Sequence, residues 1–171
     1  GFKPIVVERG KCVEERVKDV EAFWEKGTFD PKSNVQFGEG GAGTFSDGKL
    51  TTQIKNKRCH KVLEEMVKAG APEEILYKNK PHVGTDILRE VVKNIREEII
   101  ALGGSFRFET QLTDLVIEEG ALKAVILNNS ERLETKHCIL AIGHSARDTF
   151  EMLHQRLVTM EQKPFSIGMR V

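Results

Sequence analysis

Between Gly38 and Leu50 the chain reads Gly38-Glu39-Gly40-Gly41-Ala42-Gly43-Thr44-Phe45-Ser46-Asp47-Gly48-Lys49-Leu50, which places five glycines in thirteen positions. Such a run suits neither a helix nor a strand, because glycine gives up the most conformational freedom on ordering. Its advantage lies elsewhere. Glycine tolerates positive φ and lets backbone come close to a ligand, and successive N–H groups in such a loop can form an anion-binding concavity. A phosphate-bearing cofactor is the expectation, and a plain surface loop is the alternative.

The flanking pattern predicts an α/β chain. Residues 3–8 contain the β-branched run Ile5-Val6-Val7, suited to an interior parallel strand. Val13, Val17, Val20 and Trp24 recur at helical spacing over residues 12–25, and the charges among them predict a solvated face. A second helix is expected over 57–69, stopped by Gly70 and Pro72, with a helical turn at 73–78. The longest helix should run from Asp86 to Leu102, capped by Thr85 or Asp86 and closed by Gly103-Gly104. Strands are expected at 105–109, 112–118, 122–128 and 132–142, with turns at Glu119-Gly120 and Asn128-Asn129-Ser130, before a helix at 146–157. The antiparallel group at 112–135, set between parallel-type strands, matches the three-stranded crossover of some dinucleotide-binding domains. The β-branched start and the alternation Phe165–Val171 predict a segment of a longer domain, incomplete at both ends.

Lys+Arg and Asp+Glu both total 26, so the net charge is zero, which argues against a nucleic-acid or anionic-membrane partner. No apolar run approaches the roughly 20 residues of a membrane-spanning helix. Cys12, Cys59 and Cys138 are widely spaced and contain no CxxC pair, which predicts a reduced, cytoplasmic setting, and Cys59 and Cys138 are expected to be buried small apolar residues rather than reactive thiols. The histidines form neither HxH nor HExxH, so no metal site is expected. Gly43 to Lys49 spells most of a P-loop, yet Leu50 stands where a magnesium-binding hydroxyl belongs. Ser46 and Asp47 lack the GxSxG elbow of a serine nucleophile. Glu8 closes the first strand, where a carboxylate can accept from both ribose hydroxyls of a dinucleotide. His144, after Gly143, is either a solvated loop residue or a cofactor-edge group.

Taken together, Val6-Val7-Glu8-Arg9-Gly10, the segment Asn34 to Leu50, Pro81-His82-Val83-Gly84-Thr85-Asp86 and Ala141-Ile142-Gly143-His144-Ser145-Ala146-Arg147-Asp148 resemble a family of FAD-dependent dehydrogenases in the glutathione-reductase-like superfamily. The resemblance runs over nearly all of the chain. It implies a Rossmann-like FAD-binding domain over 1–171, with 112–135 as the crossover and 158–171 as a possible start of a substrate domain. By the same resemblance Glu8 would hold the adenosine ribose with Arg9 beside it. Gly40, Gly41, Ala42, Gly43, Thr44, Ser46, Asp47, Gly48, Lys49 and Leu50 would run along the pyrophosphate and flavin. Leu112 would meet the adenine through its backbone, and Ala141, Ile142 and Gly143 would pass close to the cofactor. The family's GxGxxG helix start is not among these residues. The implied activity is flavin-mediated hydride transfer on a small-molecule substrate, with NADH or NADPH as reductant. A non-catalytic nucleotide-binding or regulatory module is the alternative.

Overall fold

A computed structural model describes residues 1–162 except Ser46, Asp47, Thr51 and Gln53. The alternation expected at Phe165–Val171 lies outside the described residues, as do Ser46 and Asp47. The chain is mixed α/β, with a small parallel sheet and a three-stranded antiparallel sheet. It divides into two compact units, Gly1–Gln111 and Leu112–Val171.

In the first unit, β1 (Ile5–Val7) pairs in parallel with β2 (Ser105–Arg107), Val6 lying opposite Phe106. The expected strand at 105–109 stops at Arg107 because Glu109 turns to a φ of 50°. Backbone bonding outlasts the strand, since the Thr110 N–H donates to the Glu8 carbonyl and the Glu109 N–H to that of Gly10, both at 2.9 Å. The end of β1 is thereby held firmly. Helix α1 (Val13–Lys26) closes on Gly27, whose left-handed φ of 69° lets its N–H return to the Phe23 carbonyl at 2.9 Å.

Helix α2 (Lys57–Lys68) is capped by the Asn56 side chain, which accepts from the Arg58 N–H. A 3-10 turn at Glu73–Leu76 precedes α3 (Thr85–Ala101). Helix α3 departs from expectation at its start: its N-cap is Gly84, with no side-chain cap bond. The Leu88 N–H already bonds to the Gly84 carbonyl, which leaves Thr85 and Asp86 inside the first turn. Ile75, Val83, Leu88 and Val91 form the main core, with Leu63 and Met66 of α2 packed against it.

In the second unit, β3 (Leu112–Glu118), β4 (Ala121–Leu127) and β5 (Glu131–Glu134) pair in that order, all antiparallel. Glu119 and Gly120 take φ of 51° and 75°, the paired left-handed conformation of a tight hairpin whose twist matches the strands. Asn128 and Asn129 turn the next hairpin with φ of 49° and 61°. Helix α4 (Arg147–Gln155) packs on β3, and Arg156 just beyond it forks onto the Asp114 carboxylate.

The strand expected over 132–142 is a correction. The strand covers only Glu131–Glu134, with one further ladder bond from the Thr135 N–H to the Lys123 carbonyl at 3.0 Å. The Thr135 hydroxyl donates to the His137 carbonyl at 2.9 Å and accepts from the His137 N–H at 3.2 Å, a local turn that ends the ladder. No strand is assigned to residues 137–143, and Ile139 is 94% exposed.

Candidate functional site

The site is built around the glycine segment, which is a clamped loop. Three side chains hold it: Glu8 at the end of β1, Arg16 in α1, and Glu39 within the loop itself.

Glu8 Oε1 accepts from the Gly10 N–H at 2.8 Å and from the Gly38 N–H at 3.0 Å. One carboxylate oxygen therefore ties the strand end to the loop entrance, and Oε2 takes no part in either bond. The approach is close enough to demand glycine at position 10, where a Cβ would stand 2.6 Å from Gly38 Cα and 2.8 Å from the Lys32 carbonyl oxygen. Arg9, beside Glu8, lies over the Phe37 ring at 4.5 Å.

Arg16 corrects the expectation of a fully solvated charged face on α1, for it has no exposed surface. Its guanidinium donates to five loop carbonyls. Nε reaches Asn34 at 2.8 Å and Nη2 reaches Val35 at 3.0 Å. Nη1 reaches Gly38, Glu39 and Gly41 at 3.2, 2.6 and 2.8 Å. Burial pushes its pKa down to about 10, opposed by the Glu8 and Glu39 charges, so it stays cationic at neutral pH. Sequence periodicity carried a signal for this residue, because position 16 shares a helix face with Val13 and Val20, both buried.

Glu39 is 7% exposed, and its Oε2 accepts from the Val13 N–H and from Arg96 Nη1, each at 2.8 Å. It caps α1 from a distance, supplying the acceptor that Cys12 does not. Arg96 also forks onto Glu14, donating to Oε1 at 2.6 Å and to Oε2 at 3.1 Å, which links α3 to α1. Burial raises the Glu39 pKa against the pull of Arg96, whereas the Arg96 bonds hold Glu14 below its usual range. Arg96 and Glu39 line a cavity of about 210 Å³ that also touches Glu8, Gly40, Val6 and Phe108.

The loop then makes a 3-10 turn at Ala42–Phe45. Phe45 is buried, with the Arg16 guanidinium 4.6 Å and the Arg89 guanidinium 4.9 Å from its ring centroid. Trp24 meets the same ring edge-on, 6.3 Å between centroids. The far end is pinned to the segment before α3. Leu50 N–H donates to the Pro81 carbonyl at 2.9 Å, and Val83 N–H to that of Gly48 at 3.0 Å. Gly48 has a φ of 63°, and a Cβ there would fall 1.9 Å from the Val83 oxygen.

Of the residues singled out in the sequence, Glu8, Arg9, Gly40 to Thr44 and Gly48 to Leu50 belong to this one unit. Thr44 is fully buried and its hydroxyl has no partner, whereas Gly40, Ala42, Gly43 and Lys49 are exposed. A Cβ on Gly41 or Gly43 would meet nothing within 4 Å. The loop is thus packed tightly on its inner side and open on its outer side.

Leu112 and Ala141 to Gly143 belong to the second unit. Leu112 opens β3 opposite Leu127. Ala141 and Gly143 are exposed, Ile142 is half-buried, and Gly143 has a φ of 67°. His144 is exposed, its Nε2 lying 3.4 Å from Ser145 Oγ. Two thiols differ from expectation: Cys59 is only partly buried and Cys138 is exposed. No group of three His, Cys, Asp or Glu side chains that could hold a metal occurs among the described residues. Nor is any described helix long and apolar enough to cross a membrane.

No protein-family profile matches this chain. It is similar to a protein of Clostridium beijerinckii named only as an uncharacterized protein, 54% identical over all 171 residues. The chain spans 32% of that relative's length.

Proposed function

We propose that this chain is part of an FAD-dependent oxidoreductase, a Rossmann-like flavoprotein of the cytoplasm, in which the clamped glycine loop lies along the cofactor. The observation that carries the reading is the bond from Gly38 N–H to Glu8 Oε1, 3.0 Å long. It ties together two features that dinucleotide sites need side by side. One is a carboxylate at the end of a parallel strand, able to accept from ribose hydroxyls. The other is a glycine-rich backbone that a phosphate can approach. The outer side of the loop fits such a group, since Gly41 and Gly43 leave free the space a side chain would fill.

Bound flavin would supply the hydride chemistry, with NADH or NADPH as the candidate reductant. The chain's own part is to bind and orient. Glu8 Oε2 accepts from ribose while Oε1 keeps the loop entrance closed, and the loop presents backbone to the pyrophosphate. Leu112 and Ala141 to Gly143 are assigned to the adenine side and the close-approach segment by the family resemblance alone.

Titration of FAD into the flavin-free natural protein tests the assignment, with Glu8→Gln as the informative variant. An amide oxygen can still accept from Gly10 and Gly38, so the loop persists while the charge is lost. FAD affinity should fall about tenfold or more, as expected when a charge-assisted bond of roughly 1.5–3 kcal/mol is removed. Unchanged affinity would place the ribose elsewhere.

A further inference from the structure

The guanidinium of Arg16 gathers the carbonyl oxygens of Asn34, Val35, Gly38, Glu39 and Gly41 from one side. Every described peptide bond is trans. In a trans peptide the carbonyl and the next residue's N–H point in opposite directions. The Glu39 and Gly41 carbonyls that face Arg16 therefore send the Gly40 and Ala42 N–H groups away from it. Gly40 and Ala42 are exposed residues, and a Cβ on the neighbouring Gly41 or Gly43 would meet nothing within 4 Å.

We infer that Arg16 is the positioning residue of the cofactor loop: by drawing the carbonyls inward it fixes the Gly40 and Ala42 N–H groups outward, ready to donate to the phosphates of a dinucleotide. The inference rests on the flavin reading above and adds to it the residue that preforms the loop.

Three details support it. The cation is paired with carbonyl dipoles along its whole fork, a geometry that lysine's single ammonium cannot reproduce. Gly38 leaves room for it, since a Cβ there would lie 2.3 Å from Arg16 Cδ. Phe45 covers its face at 4.6 Å, which shields the bonds from water. A loop ordered before the ligand arrives does not charge its ordering entropy to binding.

The test uses Arg16→Lys and Arg16→Met in the natural protein, measuring the FAD dissociation constant and the thermal midpoint side by side. Arg16→Lys should remain folded with its charge kept, yet bind FAD about tenfold more weakly or worse, a change of about 1.4 kcal/mol. Arg16→Met should lose more, and if it fails to fold the lysine variant decides. A folded variant that binds FAD like the wild type would overturn the inference. Hydrogen exchange without ligand at the bonded loop amides, Gly38 to Glu8 Oε1, Glu39 to the Lys11 carbonyl and Gly41 to the Gly38 carbonyl, provides a separate readout. It should quicken about tenfold in Arg16→Lys, by the same conversion. Unchanged exchange would overturn the loop-setting role even if the wild type takes up flavin. A wild type that takes up none, with exchange quickened in the variant, would overturn the flavin reading and leave the loop-setting role standing.

Discussion

Gly10→Ala should destabilise the first unit sharply, although it adds only one methyl group. That methyl would stand 2.6 Å from Gly38 Cα, 2.7 Å from Gly38 N and 2.8 Å from the Lys32 oxygen. Favourable contacts between carbon atoms lie at about 3.5–4.0 Å, so relief requires backbone to move by roughly 1 Å. All three neighbours are backbone atoms, and no rotamer change can clear them. Pushing residues 32–38 away stretches the 3.0 Å bond from Gly38 N–H to Glu8. Overpacking costs about 1–3 kcal/mol and a strained charge-assisted bond about 1.5–3 kcal/mol, giving roughly 2.5–6 kcal/mol in all. For a protein of this size that lowers the midpoint by roughly 5–24 °C. Trp24 is the chain's only tryptophan and touches Phe45 of the loop, so its fluorescence on heating reports this unit directly. Gly43→Ala is the matched control, because a Cβ there meets nothing within 4 Å, and its midpoint should barely move. A Gly10→Ala midpoint within about 2 °C of wild type, less than 1 kcal/mol on the same scale, would refute the close approach.

Two further outcomes follow from the same geometry. Glu14 and Glu39 should act oppositely with pH. The folded pKa of Glu14 is lowered by Arg96 from the ordinary 4.5, so its contribution is present above that value and is lost as pH falls through the folded pKa. Burial raises that of Glu39, so its contribution is complete below 4.5 and is lost as pH rises through the folded pKa. Glu14→Gln should flatten the acid limb of a stability profile and Glu39→Gln the limb above it, and the reverse pattern would contradict the assigned shifts. In the second unit, Glu119→Asn should raise the denaturant midpoint by about 0.5–1 kcal/mol of stability, because Asn-Gly favours the left-handed pair that Glu119 now occupies at a φ of 51°. An unchanged or lowered midpoint would speak against strain at that turn.

Most elements were legible because they obey simple periodicities. The stripe from Leu88 to Ile99 marked α3 to within a residue or so at each end, and alternation with turn residues located β3 and β4 closely. The run around Leu140 misled because an apolar stretch records a tendency to extend, whereas a strand also needs a partner edge. What lay deepest was least visible. Arg16, Glu39 and Arg96 are charged residues, and periodicity reads charge as solvent-facing. Each is buried because it meets partners far along the chain: loop carbonyls for Arg16, and Glu14 and Glu39 for Arg96. Arg96 follows Val92 by one turn on α3, as Arg16 follows Val13 on α1. A cation within an apolar stripe was the signal available. The glycine loop stands out in composition, but its inner clamp comes from Glu8, Arg16 and Arg96, which lie far from it in sequence.

On the flavin proposal, a dinucleotide lies along the loop from Gly40 to Leu50. The most direct measurement is the visible absorption spectrum of the natural protein purified without added cofactor, followed by chromatography of whatever heat releases. The account predicts a yellow protein that releases FAD in roughly equal proportion to chains, with flavin absorbance bleached by NADH or NADPH. A folded, colourless protein that takes up no FAD on titration would contradict it.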